Sequence, residues 1–136
     1  MNGQTMNTQN ENHAIEELLT AYALAINTGD TELIQTFYAN DGILMADGIR
    51  TLARNDLGKR KKESQIKRER FHIDFKLKEA KVDGLYGFVQ SISNTKVHDL
   101  ETGLDLEKNS RDFFVLRKYP EGWKIYSYMF NNVSVK

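Results

Sequence analysis

Residues 15–48 read IEELLTAYALAINTGDTELIQTFYANDGILMADG, and the fold turns on how this stretch divides. Ile15, Leu18, Leu19, Tyr22 and Ile26 recur at helical spacing, which makes one apolar helix face. Glu16 and Glu17 sit near an N-terminus where the helix dipole favours anions, and Asn12 can cap that end. Gly29 can adopt the left-handed conformation that closes a helix. Asp30 then becomes the N-cap of a second helix whose inner face carries Leu33, Ile34 and Phe37. That use of its carboxylate favours Asp30 as a structural cap over a catalytic acid. Two short amphipathic helices hinged at Gly29-Asp30, then a turn and a strand, form the start of an α+β domain.

Working outward, 136 residues with 40% hydrophobic content make one domain with room for a real core. The absence of cysteine excludes disulfides, thiolate nucleophiles and cysteine-ligated zinc, and it fits a reducing cytoplasm. Residues 1–12 have neither a basic start nor an apolar stretch, so they read as a disordered polar tail before a domain at 13–136, with no membrane segment. The formal net charge of zero conceals a basic strip, KRKKESQIKRER at 59–70, with seven Lys or Arg against two Glu. It has no interleaved aromatics, so a solvated helix face is favoured over a nucleic-acid partner.

The second half reads as a sheet. Phe71, Ile73, Phe75 and Leu77 alternate with His72, Asp74, Lys76 and Lys78, the pattern of a half-buried strand. Asp83-Gly84, Glu101-Thr102-Gly103 and Pro120-Glu121-Gly122 are turn signals separating strands at 85–97, 110–119 and 123–133. Residues 51–64 supply a weaker third helix, because Gly58 and sparse apolar residues oppose it. Helices followed by strands predict a curved antiparallel sheet over about three N-terminal helices. Strict alternation puts Trp123, Ile125 and Met129 on one face of the last strand and Tyr126, Tyr128 and Phe130 on the other. Helices can cover only one face, so the aromatic outer face predicts a homodimer.

The helix junction Asn27-Thr28-Gly29-Asp30, the exit from Phe37-Tyr38 to Asp41-Gly42 and the hairpin Glu121-Gly122-Trp123-Lys124-Ile125 resemble the SnoaL-like branch of the nuclear transport factor 2-like superfamily. Polyketide cyclases belong to that branch, and ketosteroid isomerases are relatives. The resemblance covers residues 13–133. It implies a cystatin-like roll, cone-shaped with an apolar pocket, which binds a small apolar molecule without a cofactor. Phe37, Met45, Phe88, Phe114 and Met129 are the implied pocket side chains.

Residue by residue, the resemblance places Tyr22 where isomerases keep an oxyanion donor, and Asp112 close to their protonated carboxylic acid. The general-base position falls on Ala46, with Asp47 one residue beyond, so Asp47 serves only if the chain bulges or turns there. Such groups would move a proton next to a carbonyl, as isomerases, cyclases and dehydratases do. Each also has an ordinary role: Tyr22 as a core tyrosine, Asp47-Gly48 as a turn, and Asp112 as a charge on the sheet surface. A pocket that binds without catalysis, or a dimeric association module, therefore remains beside the enzyme reading. His13, His72 and His98 lack metal-ligand spacing, and no metal site is expected.

Overall fold

In the computed structural model, which describes residues 2–59 and 69–133, the elements run α1 (Asn2–Thr28), α2 (Thr31–Thr36), β1 (Tyr38–Met45), β2 (Leu52–Ala53), α3 (Arg54–Lys59), β3 (Glu69–Asp83), β4 (Tyr86–Asp99), β5 (Asp105–Tyr119) and β6 (Gly122–Val133). The Gly29-Asp30 junction forms as its chemistry dictates. Gly29 has φ 73°, its N–H donates to Ile26 O at 3.0 Å, and the Asp30 N–H donates to Ala25 O at 3.3 Å. This is the paired bonding of a glycine C-cap. The Asp30 carboxylate then accepts the Leu33 N–H at 3.0 Å and starts α2.

Two expectations for the N-terminal region change. Asn12 lies inside α1 and does not cap it, because the helix already begins at Asn2 in a stretch without proline. Its buried Oδ1 has no hydrogen-bond partner among the described residues. Residue 11 is part of the packed body too, since Lys118 Nζ on β5 donates to Glu11 Oε1 at 2.6 Å. The third helix is described over Arg54–Lys59, and the rest of its expected span after Lys59 and most of the basic strip lie outside the described residues.

The strands form one six-stranded sheet in the order β2-β1-β6-β5-β4-β3. It is mixed rather than wholly antiparallel, because β1 follows the helical hairpin and returns beside the last strand, running parallel to β6. Ile15, Leu19, Tyr22 and Ala25 of α1 are buried, and the sheet curves over them with Val89, Phe114, Leu116 and Ile125 beneath. Two β-bulges shape that curve. Lys78 is an extra residue in β3, and Tyr126 is an extra residue in β6 between the Val115↔Ser127 and Leu116↔Ile125 pairs. An extra residue reverses side-chain parity beyond it. Trp123 and Ile125 face inward as expected, but past the bulge Tyr128 and Phe130 also turn inward while Met129 turns out.

Asn27 fastens the helix to the free edge of the sheet. Its Nδ2 donates to Ile73 O at 3.1 Å, and the Ile73 N–H donates to its Oδ1 at 2.7 Å, so the side-chain amide stands in for a neighbouring strand. Asn27→Ala leaves both main-chain groups without protein partners and is expected to cost about 2 kcal/mol. Hydrogen exchange should show faster exchange at the Ile73 amide, while the β4–β5 amides stay protected.

Candidate functional site

The hollow that concerns function lies between α1, α2, α3 and the open end of the sheet, with a volume of about 390 Å³. Ile26, Ile34, Leu44, Leu57, Ile73 and Phe130 give it apolar walls, and Tyr22, Tyr128 and Ser110 face it with hydroxyl groups. Both the size and the mixture suit a small organic molecule. A wider groove of about 630 Å³ runs between α1 and β3, but no buried polar side chain lines it.

Behind Ser110 and Tyr128 lies Asp112, 4% exposed, on the inner face of β5. Ser110 Oγ donates to its Oδ1 at 2.9 Å, Tyr128 OH to the same oxygen at 3.2 Å, and Ser91 Oγ to Oδ2 at 3.0 Å. Ser93 completes the cradle through a longer 3.5 Å bond to Oδ1 and a hydroxyl contact with Ser110. The cluster exists because Ser91 and Ser93 on β4 occupy the inner positions opposite Asp112 and Ser110 on β5. Burial raises the pKa of Asp112 from its ordinary value, and this outweighs the hydroxyl bonds that act to lower it. Burial, with the charge of Asp112 beside it, also pushes the Tyr128 phenol well up. Tyr128 is therefore a neutral hydrogen-bond donor at physiological pH.

Tyr22 is a core tyrosine that also lines the hollow. Its ring packs on Phe37, Tyr38, Phe75, Phe114 and Tyr128 in an aromatic core, its hydroxyl pairs with that of Tyr38 at 2.6 Å, and it lines the hollow. Asp47 sits in the turn after β1, at the rim of the hollow, where its Oδ2 accepts the Asn132 N–H at 3.0 Å. Ala46, the gap-free position for a base, faces the same space without a titratable group.

The five implied pocket side chains lie elsewhere. Phe37 and Phe114 belong to the aromatic core beneath the hollow, with Phe114 stacked on Tyr128 at 4.0 Å between ring centroids. Phe88 and Met129 point from the outer face of the sheet, at 39% and 41% exposure, and Met45 lines an outer groove with Met129. For Met129 the cause is the Tyr126 bulge. Phe88 stands one residue from the inward Val89, so its parity alone places it outside. The residues that simple alternation missed are Tyr128, hidden by the bulge, and the serines. The small hydroxyl residues at 91 and 93, continuing the inner positions of Val89, were the available signal.

No protein-family model and no curated protein matches this chain. Solved structures do. A ketosteroid isomerase-like protein from Erwinia carotovora atroseptica superposes with a TM-score of 0.73 at 24% identity, over 90% of this chain and 96% of that one. A conserved protein from Planctomyces limnophilus gives 0.80 at 13% identity, over 92% and 99%. An NTF2-like protein with a cystatin-like fold from Novosphingobium aromaticivorans gives 0.75 at 16% identity, over 98% and 89%. With a helical hairpin under a curved, unclosed sheet and matches over nearly the full length of these chains, this protein has the fold of the nuclear transport factor 2-like superfamily.

Proposed function

We propose that this protein binds a small apolar molecule carrying one hydrogen-bonding group, such as a phenol, in the hollow above Tyr22. The observation that carries this is that, among the described residues, the buried Ser91, Ser93 and Asp112 gather behind Ser110 and Tyr128, whose side chains line an otherwise apolar space. Burying four hydroxyls and a carboxyl costs stability, and because Tyr128 and Ser110 give their protons to Asp112, a ligand hydroxyl that donates to either oxygen gives the cluster a use. Asp112 does not line the hollow. It acts through the two hydroxyls that do.

A molecule that binds only the folded state raises the melting temperature by mass action. At 100 times its Kd, 2-naphthol is expected to add about 2.7 kcal/mol of stability, and its O-methyl ether, which cannot donate, less. Tyr128→Phe should narrow that difference. No shift from any apolar phenol or ketone would defeat the binding reading.

Proton transfer next to a carbonyl is the second reading, and Asp47 at the rim is the observation in its favour. The ketosteroid isomerase-like neighbour is consistent with it. Deuterium uptake next to the carbonyl of 1-tetralone, followed by NMR, tests it. Catalysis predicts exchange above the buffer rate that falls on Asp47→Asn, whereas exchange at the buffer rate leaves binding alone.

We also propose that two copies pair through the outer sheet face, where Phe88 and Ile92 on β4 and Met129 on β6 remain exposed beside Phe113. Tyr126 stays on this face against Tyr86, although Tyr128 and Phe130 have left it. Sedimentation equilibrium should return twice the chain mass, and Ile92→Glu should halve it. No described helix is long and apolar enough to cross a membrane. A cytoplasmic location is proposed from the lack of cysteine.

A further inference from the structure

The rim of the hollow has its own chemistry. Along the inner face of β5 the order is Lys108, Ser110, Asp112, Phe114, so cation, hydroxyl, acid and ring follow one another from rim to core. Lys108 stands opposite Thr95 of β4, and both side chains line the hollow. Lys108 makes no ion pair among the described residues, and the Thr95 hydroxyl beside it takes no side-chain hydrogen bond there. The acidic neighbours are engaged elsewhere: Glu107 alternates to the other face and accepts from Asn94, while Asp47 accepts the Asn132 main chain. Asp47 follows β1 and Lys108 lies on β5, with β6 between them, so their backbones are about two strand spacings, roughly 10 Å, apart.

Resting on the binding reading above, we infer that Lys108 and Thr95 form an anion-recognition point at the mouth, and that the ligand is an apolar body with a hydrogen-bonding oxygen at its inner end and a carboxylate at its outer end. The strand sets the scale. Lys108 and Ser110 are separated by about 7 Å of strand rise, and the lysine stem reaches further toward the rim, which suits a rigid two-ring acid. An ammonium and a hydroxyl side by side donate to the two oxygens of one carboxylate.

Calorimetric titration with 2-naphthol and 6-hydroxy-2-naphthoate separates this inference from the reading on which it rests. At low salt and neutral pH the hydroxynaphthoate should bind about fivefold tighter, and the ratio should fall toward one at high salt because an exposed pair is screened. Lys108→Gln should remove the preference, and Lys108→Arg should keep it. If the two compounds bind equally, or the preference survives Lys108→Gln, the anion point is wrong and the hollow remains a neutral pocket. If neither compound binds, the binding reading fails and the anion point with it.

Discussion

Asp112→Ala is expected to lower the melting temperature by about 10 °C, whereas Asp112→Asn should not. Removing the carboxyl leaves Ser91 and Tyr128 without their buried partner and opens a void under the hollow, a loss on the order of 3 kcal/mol. Ser93 and Ser110 still bond to each other, which limits the damage. Asparagine has the same shape and keeps groups that the hydroxyls can meet.

The two substitutions also differ in pH dependence. Asp112 has a raised folded-state pKa, so between its unfolded and folded values the native state holds the proton more tightly. Its contribution therefore becomes less favourable as pH rises through that window and is restored as pH falls back toward the ordinary carboxylate range. Asparagine carries no charge to bury. Asp112→Asn should equal or exceed the parent chain at neutral pH, with the advantage shrinking in acid. A variant that grows relatively weaker as pH rises would mean that the hydroxyl cradle favours the anion, and the raised pKa of Asp112 would be wrong.

Gly42→Ala should cost about as much, for a purely steric reason. A Cβ at this position would stand 2.6 Å from Ile125 O, 3.0 Å from Ala39 O and 3.2 Å from Ala39 N, all main-chain atoms that cannot rotate away. The glycine lies where the register of β1 against β6 shifts between Tyr38 and Ile43, so the strands approach closely there. Relief requires β1 to move from β6. The expected loss is about 3 kcal/mol, near the upper end for overpacking, with a fall of about 10 °C in melting temperature. Because β1 delivers Leu44, Ala46 and Asp47 to the hollow, the 2-naphthol response should weaken with it. An unchanged melting temperature would show that the two strands are not held as close as described.

Local chemistry made much of the fold legible. Gly29-Asp30 announces its helix junction because a left-handed residue and a side-chain cap are properties of two adjacent residues. The hairpins at Asp83-Gly84 and Gly122 are visible for the same reason, with φ 62° at Gly84 and 130° at Gly122. Tyr22 and Asp112 were legible as site candidates through position and resemblance. Tyr128 was not, because one bulged residue reverses every later side chain and no dipeptide marks Tyr126 as the extra one. The parallel pairing of β1 with β6 was hidden too, since strands at opposite ends of the chain give no short-range signal of being neighbours.

The sequence by itself determined the helical hairpin, the alternating strands and the turns between them, because each depends on contacts within a few residues. Only the tertiary structure decided what the hollow contains. The Lys78 and Tyr126 bulges bend the sheet and select its inner residues, and the β4–β5 register gathers Ser91, Ser93, Ser110 and Asp112 into one buried cluster. A site assembled from several strands is a property of register and curvature, and these are set by the packing of the whole sheet against α1.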